Sequence, residues 1–306
     1  MPTELSERPT VATRLRVPGP LDLRRTLSSL HRAPGDPQQR YDGAAVWRAS
    51  RTTEGPATVR LEPQGAEIAV AAWGAGAACA AEQVAELVGA AQDLADWQPA
   101  HPLLRELVRR LPGVRVPRTG LVIDQLVPAV LEQKVTGEEA RRSWRELVMR
   151  YGEPAPGPGG LRLPPTAEQW AALQSWDWHL AGVEQRRALT IRSAVLRAGR
   201  LEECTGLAPV DARRRLETLP GIGPWTSAEV AQRALGDADA VSVGDYHLPA
   251  LVGWLLAGRR TDDAGMLELL EPERPYRYRA VRLLELSGLR QPRFGPRMAP
   301  RQLRGI

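Results

Sequence analysis

Hydrophobic and polar positions divide the chain into two parts with different periodicities. Over the first hundred residues, short stretches of alternating apolar and polar positions are separated by turn residues, which is the pattern of β-strands. Two helical patterns accompany them, so this part predicts one antiparallel sheet with helices on one face. The predicted strands are 14–17, 43–52, 57–62 and 66–73, and the predicted helices are 21–31 and 80–94.

From Pro102 onward, the apolar residues recur at steps of three and four positions, as Leu126, Val130 and Leu131 do. This spacing predicts amphipathic helices packed on one another. The segment 153–165 is rich in Pro and Gly, interrupts the pattern and predicts a surface loop. The predicted helices are 103–111, 121–133, 137–151, 167–175, 183–198, 210–218, 225–235, 246–256, 264–270 and 276–287.

These patterns predict a mostly α protein in three regions. We expect an N-terminal α+β domain with an antiparallel sheet over residues 1–98 and a helical domain over residues 99–290. Residues 291–306 contain arginines but no acidic residue, which predicts a flexible basic tail. Such a tail either touches a DNA backbone or is merely solvated.

A tight glycine turn lies between two of the predicted helices. It reads Leu219-Pro220-Gly221-Ile222-Gly223, and the next helix is predicted to begin at Pro224. The free N–H groups at the start of that helix carry a partial positive charge that suits a phosphate oxygen. Further along, the chain breaks at residues 236–239 and reaches an isolated carboxylate, Asp245, at the start of another apolar helix.

This order of elements resembles the helix-hairpin-helix DNA glycosylase superfamily. The 22 residues from Gly223 to Asp245 are close to the spacing of that family. The run Gly-Ile-Gly-Pro-Trp-Thr is most similar to the 3-methyladenine DNA glycosylase II type, and residues 123–133 are similar to the first core helix of the family. The resemblance implies a helix-hairpin-helix bundle that follows an N-terminal α+β domain.

Within this resemblance, Asp245 is the candidate catalytic residue. Cleavage of an N-glycosidic bond places positive charge on the deoxyribose, and a nearby carboxylate stabilises that charge and assists the attack of water. One carboxylate suffices for a base that alkylation has already made a good leaving group. The alternative is that Asp245 only caps the helix after it, a common role for Asp. The two roles are compatible.

The resemblance also implies a DNA interface at the hairpin. Backbone N–H groups there would bind a phosphate of the damaged strand. The family also places a monovalent cation on backbone carbonyls, which by motif position are those of Glu217, Leu219 and Ile222. The alternative is a simple turn between core helices, and polymerases, ligases and helicases use similar hairpins for binding alone. The candidate DNA-binding residues are Gly221, Ile222, Gly223, Thr226, Gln133 and Lys134.

Trp225 occupies the position where bifunctional relatives carry the lysine that forms a Schiff base. No lysine lies nearby, which predicts a monofunctional enzyme that leaves an abasic site. The ring of Trp225 suits a flipped, positively charged base through stacking and cation–π attraction, although a plain core tryptophan is the alternative. Tyr246 and Trp254 are further candidates for the wall of the substrate pocket.

Lys134 is the only lysine in the chain, and it follows Gln133 at the end of the first core helix. Relatives often carry an apolar wedge at this position, so the lysine is a departure. It would contact a phosphate or the orphaned base, or it would disfavour a cationic lesion and so favour a deaminated purine. A surface lysine without a role is the remaining alternative.

Composition limits the cofactors and partners. A net charge of +5 and a pI near 9.7 are compatible with a polyanionic partner. The two cysteines, Cys79 and Cys204, cannot form a four-cysteine iron–sulfur site, and the four histidines lack metal-ligand spacing. No apolar run is long enough to cross a bilayer and no signal peptide is recognisable, so we expect a bacterial cytoplasmic, nucleoid-associated protein. No oligomeric interface is evident, and we expect a monomer.

The hypothesis from the sequence is a monofunctional DNA glycosylase that needs no cofactor. It would flip damaged, alkylated bases out of duplex DNA and hydrolyse them in base excision repair. One alternative is the same fold acting on deaminated bases such as hypoxanthine or uracil. Another is a structure-specific DNA-binding protein without catalysis, and Asp245 is the residue that separates these possibilities.

Overall fold

The computed structural model describes residues 7–290 of the chain. The predicted basic tail over 291–306 lies outside the described residues. The prediction of a mostly helical protein with an antiparallel sheet near its N-terminus is confirmed.

The N-terminal part contains a five-stranded sheet of order β1-β5-β4-β3-β2, in which every neighbouring pair is antiparallel. The predicted strands are all present, although the first lies slightly earlier than predicted. The short edge strand β2 was missed, because its sequence Gln-Arg-Tyr-Asp has no apolar alternation. The strands are β1 (Val11–Arg16), β2 (Gln39–Asp42), β3 (Ala45–Thr52), β4 (Gly55–Gln64) and β5 (Glu67–Trp73).

Three short helices cover one face of this sheet. They are α1 (Leu23–Leu27), α2 (Ala77–Glu82) and α3 (Val84–Leu87), so the predictions of 21–31 and 80–94 were too long. Leu27, Leu61 and Ala72 are fully buried between the helices and the strands. Burial of these apolar side chains is the main stabilising contribution in this layer.

The other face of the sheet is covered by the segment that the sequence predicted to be a surface loop. Residues 153–165 contain a small hairpin, β6 (Glu153–Pro154) and β7 (Arg162–Leu163), and pack Leu161 and Leu163 against Trp47 and Trp73. The two indole rings stack with centroids 5.2 Å apart. The loop prediction was wrong because the few apolar residues among the prolines and glycines are the ones that become buried.

The remaining chain is helical, and its helices form two hydrophobic clusters. Two short helices, Ser175–Leu180 and Ala198–Glu202, were missed, and the helix predicted from 246 begins at Leu248. None of the helices in the described residues is long and apolar enough to span a membrane. The helices are α4 (Pro102–Arg110), α5 (Val122–Leu131), α6 (Gly137–Tyr151), α7 (Ala167–Ala172), α8 (Ser175–Leu180), α9 (Gln185–Val195), α10 (Ala198–Glu202), α11 (Pro209–Glu217), α12 (Pro224–Val230), α13 (Leu248–Ala257), α14 (Asp263–Leu270) and α15 (Arg277–Leu286).

The two hydrophobic clusters are joined by the segment that carries Asp245. The first draws on helices between α5 and α12, and the second joins α4 to α13, α14 and α15. After α12, the helix widens into one π-helical turn, Ala231–Leu235, and the chain then crosses from the first cluster to the second. Asp245 lies on this crossing segment, immediately before α13.

Candidate active site

The hairpin joins α11 to α12, as predicted, and Pro224 is the first residue of α12. Gly221 has a φ of +91°, and a Cβ atom there would lie 2.3 Å from the Oγ1 atom of Thr190, so only glycine fits. Ile222 is buried in the helical core and anchors the turn. Gly223 is extended, and no atom of the described residues lies within 4 Å of the position of its Cβ, which leaves its backbone open to a ligand.

Gln133 ties the end of α5 to this hairpin. Its side-chain amide donates hydrogen bonds to the carbonyl of Gly221 (2.9 Å) and to the hydroxyl of Thr226 (2.8 Å). Thr226 is buried, with only 2% of the residue exposed, and its predicted contact with DNA stays a prediction. Gln133 therefore fixes the hairpin, and both hydrogens of its amide are already used within the protein.

Lys134 lies in the turn after α5 and has an unusual backbone conformation. It is exposed and has a φ of 53°, which is uncommon for a residue other than glycine. Its neighbour Gln133 contacts the hairpin, so the lysine lies beside the predicted phosphate site. Its role toward DNA stays a prediction.

The carboxylate of Asp245 is held by three donors. Its Oδ1 atom accepts hydrogen bonds from the backbone N–H groups of His247 (2.7 Å), the N-cap residue of α13, and of Leu248 (2.8 Å), the first residue of that helix. Its Oδ2 atom accepts a hydrogen bond from the indole Nε1 of Trp225 (3.0 Å). Asp245 was expected to cap a helix that begins at Tyr246, but the N-cap residue is His247, and the Asp245 carboxylate instead binds the N–H groups of His247 and Leu248. Its second oxygen is oriented by a side chain from the helix that follows the hairpin.

Trp225 and Asp245 line one cavity of about 220 Å³, which we call the Asp245 cavity. Leu248 and Leu251 of α13 and Val281 of α15 supply apolar wall, and Ser29 comes from the N-terminal part. The cavity thus lies at the junction of the two helical clusters and the N-terminal part. A concave site with a few oriented polar groups is the usual form of a binding pocket.

Two of the predicted wall residues lie elsewhere. Tyr246 is 90% exposed and packs edge-on against the ring of His247, with centroids 4.9 Å apart. Neither Tyr246 nor Trp254 lines the Asp245 cavity. The prediction assumed that α13 begins at Tyr246, but the helix begins at Leu248, and Tyr246 lies before it in an exposed position.

Charged residues that sequence reasoning missed form much of the wall. The Asp245 cavity is lined by four carboxylates and two guanidinium groups: Asp245, Glu132, Glu229 and Glu285, with Arg233 and Arg282. Each glutamate pairs with an arginine, and the partner of Glu132 is the buried Arg32 of the N-terminal part (3.3 Å). Asp245 was predicted, but no local pattern marks the three glutamates and two arginines, because charges on a helix usually indicate a solvated face.

Arg233 links the cavity to the N-terminal part. Its Nε atom donates a hydrogen bond to the backbone carbonyl of Ser29 (2.9 Å), and its Nη1 atom pairs with Glu229 (2.6 Å). Burial opposes its charge, but Glu229, Tyr278 and Glu132 more than compensate, so the pKa of Arg233 lies above its ordinary value. Arg233 is therefore a fixed cation at this position.

The arginines that flank the hairpin in sequence are mostly engaged within the protein. Arg187 is buried and donates to the carbonyl of Leu131 (2.7 Å) at the end of α5. Arg213, Arg214 and Arg215 form ion pairs with Asp237, Asp211 and Glu203. Arg186 and Lys134 are exposed as well, and no ion pair joins either of them to another of the described residues.

Among the described residues, no group of three or more His, Cys, Asp or Glu side chains is placed to hold a metal ion. The predicted cation site uses backbone carbonyls instead. The carbonyl of Leu219 accepts a hydrogen bond from the N–H of Ile222 (3.0 Å) and keeps a second lone pair. A cation on the carbonyls of Glu217, Leu219 and Ile222 stays a prediction.

No protein-family model matches the chain. Over 153 residues, which are 49% of this chain, it is 38% identical to the probable bifunctional transcriptional activator/DNA repair enzyme AlkA of Mycobacterium tuberculosis. The match spans 30% of the length of that relative.

Solved structures show the same fold over nearly the whole chain. The 3-methyladenine DNA glycosylase of Archaeoglobus fulgidus superposes with a TM-score of 0.75 at 18% identity, covering 90% of this chain and 97% of that one. The 8-oxoguanine glycosylase/lyase of Clostridium acetobutylicum, solved with double-stranded DNA, gives a TM-score of 0.67 at 13% identity, covering 91% and 98%.

Proposed function

We propose that this chain is a helix-hairpin-helix DNA glycosylase that removes damaged bases from duplex DNA as a monofunctional enzyme, a proposal that its fold and its partial similarity to AlkA support. The observation that carries the proposal is the carboxylate of Asp245, which three donors orient in the wall of a cavity beside the hairpin helix. An oriented carboxylate suits a reaction whose transition state carries positive charge.

The geometry suggests how the reaction would proceed. The hairpin would hold a phosphate of the damaged strand through backbone N–H groups, and the nucleotide would rotate into the Asp245 cavity. As the glycosidic bond breaks, the Asp245 carboxylate would stabilise the oxocarbenium-like sugar and help water attack C1′. The departing base would lie against the ring of Trp225, which lines the same cavity.

A monofunctional reaction is favoured by the positions of the amines. Trp225 stands where a lyase would need a lysine, and Lys134, the only lysine of the chain, does not line the Asp245 cavity. A Schiff base needs an amine within reach of C1′. Hydrolysis by water is therefore the proposed outcome, with an abasic site as the product.

Alkylated bases are the proposed substrates. Each of the three glutamates at the Asp245 cavity pairs with an arginine, so among the described residues the carboxylate of Asp245 is the negative charge of this wall that has no ion-pair partner. A purine alkylated on a ring nitrogen carries positive charge, so this wall favours it over a neutral deaminated base. Hypoxanthine and uracil remain the competing substrates, and binding without excision remains the competing function.

The proposal is tested by following abasic-site formation on duplex oligonucleotides that contain methylated, deaminated or undamaged bases. Asp245→Asn keeps the size of the side chain and should abolish excision, whereas Asp211→Asn, at an exposed ion pair on α11, serves as the matched control. Tight binding without excision of any lesion would leave only the DNA-binding function. A covalent adduct trapped by borohydride through Lys134 would overturn the monofunctional reaction.

A further inference from the structure

We propose that Glu229 is a specificity-determining residue of the Asp245 cavity, whose carboxylate accepts hydrogen bonds from adjacent N–H donors on the edge of the extruded base. The inference rests on the proposed glycosylase function and deepens it. It assigns to one side chain the choice among damaged bases, a choice that Asp245 and Trp225 do not make.

Glu229 lies in the cavity beside the groups of the proposed reaction. Trp225 and Glu229 are four residues apart on α12, so both side chains lie on the same face of that helix. Both line the Asp245 cavity together with Asp245 itself. The Glu229 side chain is 12% exposed, which is a high degree of burial for a carboxylate.

Both oxygens of this carboxylate are held in place. Oε1 accepts a hydrogen bond from the hydroxyl of Ser242 (2.5 Å), and Oε2 accepts one from Nη1 of Arg233 (2.6 Å). The Ser242 hydroxyl in turn accepts a hydrogen bond from the side-chain amide of Gln232 (2.9 Å). The backbone carbonyl of Ser242 accepts a hydrogen bond from the backbone N–H of Asp245 (3.2 Å). The same residue thus positions both Glu229 and the segment that carries Asp245.

The two anchoring bonds leave the carboxylate available to a ligand. An ion-paired carboxylate accepts hydrogen bonds and donates none, and each of its oxygens has about two lone-pair sites. One site on each oxygen is used by Ser242 and by Arg233, so one site on each remains. Arg233 cannot swing away easily, because its Nε atom is bound to the carbonyl of Ser29.

The Glu229 carboxylate would bind a base more strongly the more adjacent N–H donors that base has on its Watson–Crick edge. A guanine ring offers N1–H and the 2-amino group side by side, which matches the two oxygens of one carboxylate, as bidentate pairs do. Hypoxanthine offers N1–H alone, and 1,N6-ethenoadenine offers no donor on that edge. Alkylation at N7 weakens the glycosidic bond, and Glu229 would then recognise the 7-alkylguanine ring.

The test compares single-turnover excision of 7-methylguanine, hypoxanthine and 1,N6-ethenoadenine from otherwise identical duplexes. Glu229→Gln keeps the shape but replaces one acceptor by a donor. It should lower excision of 7-methylguanine by about 10- to 100-fold, that of hypoxanthine by less, and that of 1,N6-ethenoadenine by less than about twofold. Glu106→Gln removes an exposed pair of the same spacing, Glu106–Arg110, and is the matched control.

A second variant guards against a folding defect. Ser242→Ala removes the anchor of Oε1 and keeps the ion pair, so it should change the ratio of the three rates in the same direction by a smaller factor. Equal losses on all three lesions for Glu229→Gln would overturn the inference and leave Glu229 a structural partner of Arg233. A wild-type protein that excises none of the three would refute the proposed function and the inference with it.

Discussion

The indole Nε1 of Trp225 donates a 3.0 Å hydrogen bond to Oδ2 of Asp245, which joins the first turn after the hairpin to the candidate catalytic carboxylate. The helix that presents backbone N–H groups toward the predicted phosphate site therefore also orients the carboxylate. In the proposed reaction, binding of the DNA backbone and positioning of the Asp245 carboxylate would both depend on one short helix, α12 (Pro224–Val230).

Trp225→Phe tests this link. The variant keeps an aromatic ring in the Asp245 cavity but removes the donor to Oδ2. A hydrogen bond to a charged group contributes about 1.5–3 kcal/mol, so we expect the excision rate to fall by about 10-fold or more. Affinity for abasic DNA should change little, and Trp176→Phe at an exposed tryptophan is the control. Loss of affinity equal to the loss of rate would contradict an orienting role.

The two hairpin glycines should respond differently to alanine. Gly221→Ala places a Cβ atom 2.3 Å from Thr190 Oγ1 at a φ of +91°, so we expect a lower melting temperature, from a cost of about 1–3 kcal/mol. Gly223→Ala meets no atom of the described residues and should leave the melting temperature nearly unchanged. If a phosphate approaches the backbone there, Gly223→Ala will still weaken binding to duplex DNA. Unchanged binding by Gly223→Ala would place the phosphate elsewhere.

Lys134 should contribute to DNA affinity through charge. The logarithm of the binding constant falls linearly with the logarithm of the salt concentration, and each lost phosphate contact makes this slope less steep by about 0.9 for duplex DNA. We expect Lys134→Ala to make this slope less steep by about one. Arg186→Ala should do the same only if α9 also faces the duplex. Arg214→Ala, at an exposed ion pair with Asp211, is the control. A slope that Lys134→Ala leaves unchanged would show that this lysine is only solvated.

Glu202 should give the stability of the fold a dependence on pH. Its carboxylate accepts the N–H groups of Val122 (2.8 Å) and Ile123 (2.9 Å) at the start of α5, and burial raises its pKa above the ordinary value of 4.5. The folded state then binds the proton more tightly than the unfolded state. Stability from this group is full below 4.5 and is lost as the pH rises through the raised pKa.

The measurement for Glu202 is the free energy of unfolding of the wild type and of Glu202→Gln over this pH range. The wild type should gain stability relative to the variant as the pH falls from the raised pKa toward 4.5. A difference that is constant with pH would mean that the Glu202 carboxyl binds its proton equally in both states.

The sequence predicted best those features in which a short motif fixes the local conformation of the backbone. The hairpin glycines and the start of α12 at Pro224 follow from short-range geometry, and the structure has both. The start of α13 was misplaced because a cap residue and the first helical residue are separated by local geometry that periodicity does not resolve.

The walls of the Asp245 cavity could not be predicted in the same way. Ser29, Glu229 and Glu285 come from distant parts of the chain, and their convergence depends on how the two helical clusters and the N-terminal part pack. A glutamate four residues before an arginine on a helix usually indicates an exposed ion pair. Only the packed structure shows that the pair Glu229–Arg233 is buried and faces a cavity.

The burial of Trp47 and Trp73 under Leu161 and Leu163 has a consequence for how this protein is inherited and engineered. The cover of the N-terminal sheet is encoded about ninety residues later, inside the helical half. A recombination or a chimera that exchanges the sheet alone would separate the tryptophans from the residues shaped to cover them. The sheet and residues 153–165 should therefore change together, as one unit of exchange that is not contiguous in the gene.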